Sequence, residues 1–337
     1  METKLLTAAD TKEAGNILKN GGLVAIPTET VYGLAANALD GKAVANIFKA
    51  KGRPMDNPLI VHIAELDELD DLVAYVPSAV YDLAEVFWPG PLTIILDKSG
   101  LIPDEVSAGL DTVAIRMPEH PVARRIIKDA GVPLAAPSAN TSGKPSPTTA
   151  QHVMDDMDGK IDAVVDGGAC AVGVESTVLT LATRRPKILR PGAITPEELT
   201  EVLGEEVLID DAVLHDLKEG QVAASPGMKY KHYSPNANVT IIDSSLEKFA
   251  EYVNAKDPKT TAALVFDGEE DKIACTALPF GAEEDDLAHA NTLFAHLRTC
   301  DDLGMKEVYV RCPGAEGVGL AVMNRLLRAA AFEVIKL

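Results

Sequence analysis

Four side chains of complementary chemistry, Lys51, Arg53, Asn57 and His62, fall within one short stretch, IFKAKGRPMDNPLIVHI (47–63). Two cations, an amide and an imidazole on one loop edge suit an anion with a polar tail, such as a nucleotide beside a small acid. The same stretch also reads as a basic helix C-terminus running into a core strand. Further polar groups stand at strand ends. Thr28, Glu29, Thr30 and Tyr32 follow the apolar run LVAIP directly, a place where α/β sheets put ligand groups; Glu29 also reads as a solvated turn residue. Arg116 closes the apolar strand VAIR, where an unpaired guanidinium is costly to bury. Either a protein carboxylate or a ligand carboxylate meets its fork. The stretch PLAAPSANTSGKPSPTT (133–149) opens from an apolar strand into hydroxyls, amides, glycine and proline around a single lysine. Such a loop offers donors to phosphates, although no G-x-x-x-x-G-K-[ST] pattern is present and it is not a P-loop. Glu175, Ser176 and Thr177 lead into the strand GVESTVLTL, and Arg190 ends the strand of KILRPG.

The elements that position these groups follow from pattern. Residues 10–20 read as a helix with Asp10 as N-cap and Gly21-Gly22 as its stop. Residues 41–50 read as a short helix with Val44, Ile47 and Phe48 inward. Residues 77–87 form another, with Val80, Leu83, Ala84 and Phe87 inward and Pro77 in its first turn. W-P-G-P (88–91) makes a rigid corner before the strand LTIIL, with Trp88 as packing. Pro121 starts a helix with Val122, Ile126 and Ile127 inward. Thr148 and Gln151 form a capping box for the next helix, and Thr195, Pro196 and Glu198 do so for a later one. Strands dominate, with short helices between them, which predicts a twisted mixed sheet rather than strict βαβ alternation. The pattern lapses over 205–237. Within it SPGMKYKHYSP (225–235) is rich in Lys, His and Tyr and reads as a linker able to fold over a site as a lid. From 238 onward VTIID, AALVF and EVYVRC are strands, and 283–303 and 317–331 are helices. This second α/β unit carries no comparable set of polar groups.

Composition sets the outer bounds. The chain has 337 residues, enough for two domains, and is 47% hydrophobic, enough for ample core. No apolar run approaches the roughly 20 residues of a membrane span, and METKLLTAADTKEAG has no basic and apolar leader pattern. The four cysteines, Cys170, Cys275, Cys300 and Cys312, show no C-x-x-C pairing. They read as reduced packing residues of a cytoplasmic protein rather than as a disulfide or zinc site. The net charge of −20 argues against extensive binding of a phosphate backbone. It leaves room for a local basic pocket.

Taken together, PTETVYGL, KGRPMDNPLIVHI, FWPGPLT, VAIRMPEHP, APSANTSGKPSPT, GVESTVL, LRPG and SPGMKYKHYSP resemble the Sua5/YrdC/YciO family. The resemblance is closest to its two-domain type of threonylcarbamoyl-AMP synthase, since the short type stops before the linker. It implies a YrdC-like catalytic domain with a concave site over 1–205, a linker over 206–237 and a smaller Rossmann-like α/β domain over 238–337. The implied reaction joins L-threonine, bicarbonate or CO2, and ATP into L-threonylcarbamoyladenylate with release of pyrophosphate, for t6A37 modification of tRNA. A separate transferase complex completes that step, so tRNA is only an indirect partner. The resemblance implies that Lys51 and Arg53 neutralise phosphate charge beside Ser138 and Asn140. It implies further ATP contacts at Asn57, Thr112, Ser146 and Arg190, with Tyr230 or Tyr233 closing over the nucleotide. Thr30, His62, Arg116 and Ser176 would hold threonine. Mg2+ would come with ATP, and no protein metal cage is needed. Two other readings remain. One is an RNA-binding module on a concave basic surface, which the acidic charge opposes. The other is a carbamoyl-transfer domain of hydrogenase-maturation proteins, whose cysteine fingers this chain lacks.

Overall fold

The computed structural model describes residues 2–215 and 232–337. These form two compact units. The first runs to Val213 apart from Gly143–Pro145, and the second holds that stretch, 214–215 and the chain from 232 to Leu337.

The first unit contains strands β1 (Lys4–Thr7), β2 (Val24–Ile26), β3 (Gly33–Asn37), β4 (Ile60–His62), β5 (Leu92–Asp97), β6 (Thr112–Arg116), β7 (Leu134–Ala135), β8 (Ala163–Asp166), β9 (Thr177–Thr180), β10 (Lys187–Arg190) and β11 (Leu208–Ile209). They lie in one sheet in the order β1-β8-β2-β3-β7-β4-β6-β5-β9-β10-β11. Parallel pairs such as β4–β6 and β5–β9 alternate with antiparallel ones such as β5–β6 and β9–β10, so the sheet is mixed, as the short helices between strands predict. Helices α1 (Thr11–Lys19), α2 (Gly41–Lys51), α3 (Leu69–Leu72), α4 (Ser78–Phe87), α5 (Asp104–Ser107), α6 (Pro121–Ala130), α7 (Ala150–Met157) and α8 (Pro196–Leu203) connect them.

Strand alternation divides the central sheet into two faces. Val61, Ile94, Ile115 and Leu179 face one way and pack with Ile47 and Phe48 of α2, Val80 and Leu83 of α4 and Leu199 of α8 in the largest core cluster. Ile60, Ile95, Ala114 and Val178 form a small apolar layer on the other side. The next residues along that second face are polar. His62 pairs with Arg116, and Arg116 pairs with Thr93, so one cross-strand row runs over β4, β6 and β5.

Local chemistry accounts for most helix limits. Asp40 caps α2 by accepting from Lys42 N and Ala43 N, and Gly52 ends it with φ of 68°, a left-handed conformation that suits glycine. Thr195 and Glu198 form the predicted capping box of α8. One expectation shifts by one residue. Thr149, not Thr148, caps α7, by accepting from His152 N, and Gln151 turns outward to Asp155 instead of closing a box. On α6 Ile126 and Ile127 are buried as expected, Val122 is partly buried against the same core cluster, and Ala123 and Ala130 complete the inward face. Asp10 stands at the N-cap of α1, yet its carboxylate accepts from Thr7 rather than from the helix.

The second unit is a parallel sheet of β12 (Asn238–Asp243), β13 (Thr261–Val265), β14 (Thr276–Pro279), β15 (Glu307–Arg311) and β16 (Val334–Lys336), in the order β14-β13-β15-β12-β16. Helices α9 (Leu246–Asn254), α10 (Asp286–Asp302) and α11 (Gly319–Ala329) complete it. All four strand pairs are parallel, as in the expected Rossmann-like arrangement.

One buried ion pair ties the first unit's sheet together at the polar row. Arg116 Nη2 meets Glu29 Oε1 at 2.5 Å, and both side chains are almost wholly buried. Glu29 Oε2 also accepts from Glu119 N, so the exit of β2 is fastened to the exit of β6. Removing one partner leaves an uncompensated buried charge. Glu29→Ala is expected to lower stability by about 3–5 kcal/mol in urea unfolding; a loss within the roughly 0.5 kcal/mol of an ordinary surface change would show that the pair does not fasten the sheet.

Candidate active site

The cluster around Arg116 builds outward from the strand ends. Thr28 closes the turn after β2: its hydroxyl donates to Val31 O at 2.6 Å and accepts from Thr30 N and Val31 N. That turn aims Thr30 at the sheet, where Arg116 Nη1 donates to Thr30 Oγ1 at 2.9 Å. Arg116 Nε donates to Gly90 O at 3.3 Å. The choice left open by the sequence, protein carboxylate or ligand carboxylate, is thus resolved toward Glu29 in this structure. Glu29 is a buried ion-pair partner and not a solvated turn residue. Among the described residues these bonds use three of the five N–H groups of the guanidinium, which leaves two for a ligand.

Electrostatics follow from that burial. Burial pushes the Glu29 carboxyl up, but the charge and hydrogen bond of Arg116, with backbone N–H donors, more than offset it and hold it below the ordinary range. His62 sits beside the guanidinium with only 3% exposure, and its Nδ1 lies 3.1 Å from Ile60 O. Burial, then Arg116, push it down to about 3, so the ring is neutral at physiological pH.

Lys51, the last residue of α2, is buried to 2% exposure. Its Nζ donates to Ser138 O at 2.5 Å and to Asn140 O at 2.6 Å, with Asn140 Oδ1 at 3.5 Å. Burial, then the charge of Arg53, push the ammonium well below the usual lysine range, against the pull of Asp156 and Glu175. The lysine thereby holds the S-x-N loop from behind. That loop is no flexible spacer. Ser142 N donates to Lys51 O, Ala139 N to Tyr32 O and Thr141 N to Asp156 Oδ2. Ser138 Oγ donates to Asn140 Oδ1 at 2.6 Å.

Asn57 is buried to 1% exposure, and neither atom of its amide has a hydrogen-bond partner among the described residues. Buried amides are rarely left so. Arg53 is half-buried, with its guanidinium 5.3 Å from the centre of the Phe48 ring. Ser146 is wholly buried and donates to Glu175 Oε1. Arg190 donates through Nε to Ser176 O and through Nη2 to Ser176 Oγ, both at 3.1 Å. Gly192 makes this close approach possible, because a Cβ there would lie 2.3 Å from Thr177 N.

The fold therefore brings Thr30, His62 and Arg116 into one cluster, Ser176 and Arg190 into a second, and Lys51, Ser138 and Asn140 into a third, all in the first unit. Thr112 stands at the opposite end of β6 from Arg116, paired with Asp97, and does not join the Arg116 cluster. Tyr233 lies in the second unit with 5% exposure, its ring 5.1 Å from that of Phe294 and 5.7 Å from the Arg325 guanidinium. Tyr230 lies outside the described residues. The structure adds Thr93, Gly90 and Glu175 to the contacts, and sequence spacing carries no signal for any partner of Gly90 or Thr93. Among the described residues no group of three or more His, Cys, Asp or Glu has the geometry to hold a metal ion, and no helix is long and apolar enough to cross a membrane.

Comparison with known proteins matches these features to a family. Residues 16–192 match the Sua5/YciO/YrdC family profile, described as telomere recombination, and 194–331 match the profile of the threonylcarbamoyl-AMP synthase C-terminal domain. The chain is 44% identical over 328 residues to the threonylcarbamoyl-AMP synthase of Pyrococcus abyssi, covering 96% of this chain and 94% of that protein. It is 44% identical over 329 residues to that of Bacillus subtilis, with the same coverage. The crystal structure of P. abyssi Sua5 complexed with L-threonine superposes with a TM-score of 0.91 at 41% identity, over 100% of both chains. With both profiles matched in order along the chain, this protein belongs to the two-domain branch of the Sua5/YciO/YrdC family.

Proposed function

We propose that the chain is a threonylcarbamoyl-AMP synthase, which converts L-threonine, bicarbonate or CO2, and ATP into L-threonylcarbamoyladenylate and pyrophosphate. The observation that carries this reading is the buried polar row at the strand ends. A guanidinium with N–H groups to spare, a neutral imidazole and a ring of hydroxyls suit a small amino acid with a carboxylate and a hydroxyl. The near full-length likeness to synthases supports the same reaction.

In this reading the threonine carboxylate meets the two remaining N–H groups of Arg116, while Thr30, His62 and Ser176 meet its hydroxyl or amine. The neutral threonine amine adds to the carbon of CO2 as one C=O π bond opens onto oxygen, and the amine gives up a proton to leave the carbamate; from bicarbonate, water leaves as well. A carbamate oxygen then attacks the α-phosphorus of ATP, and pyrophosphate leaves as the P–O bond to the β-phosphate breaks. Positioning and charge neutralisation supply most of the catalysis in such a transfer. Lys51 acts by fixing Ser138 and Asn140 and by adding charge behind them; Arg53 adds charge at the loop. Asn57, with its unpaired buried amide, takes the nucleotide together with Ser146, Arg190 and Thr112. Tyr230 and Tyr233 remain proposed nucleotide contacts.

Glu29 is already engaged with Arg116, Glu175 with Ser146, and Asp156 with Thr141 N. A donor set of that kind suits Mg2+ carried on the triphosphate rather than held by the chain. The cation would neutralise phosphate charge. The proposed setting is the cytoplasm, with the product passed to a threonylcarbamoyl transferase complex and tRNA met only indirectly.

Pyrophosphate release tests the reading. Release from ATP should require both L-threonine and bicarbonate. Release with threonine alone after degassing would mean simple aminoacyl adenylation, and no release would overturn the proposal. Lys51→Ala should abolish turnover while threonine binding persists, because the loop loses its anchor; turnover near wild type would refute that role. His62 gives a pH prediction. Its ring is depressed in the folded chain relative to the ordinary 6.5, so the stability it contributes is present above 6.5 and lost as pH falls toward about 3. Thermal melts between pH 7 and pH 4 should drop more steeply for the wild type than for His62→Asn; parallel curves would rule out a neutral buried ring.

A further inference from the structure

Thr93 belongs to neither implied ligand set, yet it occupies the centre of the polar row. It is fully buried on β5, paired with Arg116 on β6 on one side and with Val178 on β9 on the other. Its neighbours two residues along the same face are apolar, Ile95 above all. Valine would match the shape and suit a buried strand better than a hydroxyl, which costs desolvation unless it is bonded. Among the described residues the hydroxyl has one hydrogen-bond partner, Ser176 Oγ, at 2.8 Å.

Ser176 is the shared atom of two contacts. A serine oxygen has two lone pairs and one proton. Arg190 Nη2, which can only donate, fills one lone pair at 3.1 Å. We propose that Thr93 is a positioning residue that donates to the second. Both lone pairs of Ser176 Oγ are then occupied, and its proton is left as the donor offered to an oxygen of the amino-acid substrate. Arg190 holds the backbone of Ser176 as well, so Thr93 fixes the remaining freedom of the hydroxyl. This assignment rests on the synthase reading, in which Ser176 faces threonine.

Steady-state kinetics of the full chain test it. Thr93→Val should raise the threonine KM at least tenfold and leave the ATP KM within twofold. Thr93→Ser, which keeps the hydroxyl, should return the threonine KM to within threefold of wild type. An unchanged threonine KM in the valine variant, equal rises in both KM values, or a serine variant as impaired as the valine one would each overturn the assignment. If Thr93→Val does not fold, Thr93→Cys, of similar size with only a weak donor, is judged by the same criteria. Wild type is measured first. Wild type without threonine-dependent turnover overturns the synthase reading and this assignment together, whereas normal wild type beside an unaffected valine variant overturns this assignment alone.

Discussion

The first unit depends on one buried charge. Arg116 ends an apolar strand with 3% of its surface exposed. A guanidinium there is tolerable only if its N–H groups find acceptors and its charge finds a partner. Glu29 supplies the charge from the exit of β2, Thr30 a hydroxyl from the same turn, and Gly90 a carbonyl from the corner before β5. Three separate segments are thereby drawn to one point. Burial, and after it the same charge, keep the neighbouring imidazole of His62 neutral. A site assembled this way has its polar groups oriented before any ligand arrives, which is the condition for low reorganisation cost in catalysis.

Lys51 meets the same problem with different partners. Its ammonium is surrounded by oxygens of residues 138 and 140. Where Arg116 uses a carboxylate and fixes a strand exit, Lys51 uses mainly carbonyls and fixes a loop. In a chain with net charge of −20, both cations lie inside, away from the acidic surface. The Arg116 charge is balanced there by Glu29, and the acidic net charge agrees with the weak case for a long nucleic acid.

Much of this was legible from local pattern. The apolar faces of α2 and α4 and the capping box of α8 follow from residue spacing, because helix and strand periods are set by the backbone alone. The stretches PTETVYGL, KGRPMDNPLIVHI and APSANTSGKPSPT marked the clusters that the fold brings together. The misplaced cap of α7 shows the limit: Thr148 and Thr149 are both good caps by residue type, and the fold uses Thr149. Lys51 read as a phosphate-facing cation; its burial behind the loop depends on how α2 docks, which no local pattern records.

By itself the sequence determined which chemistry was present and where the chain would turn: the cations, hydroxyls and amides at strand ends, the mixed α/β class and the two-unit order. It also carried the family resemblance, through motifs spread over most of the first unit. Tertiary structure decided who meets whom. Glu29 and Arg116 are 87 residues apart, as are Lys51 and Ser138, and Thr93 reaches Ser176 across 83. Those meetings are set by strand order and register in a mixed sheet, where a shift of one residue would turn each side chain to the opposite face. Register is a property of the assembled sheet, and so the polar row became visible only once β4, β6, β5 and β9 lay side by side.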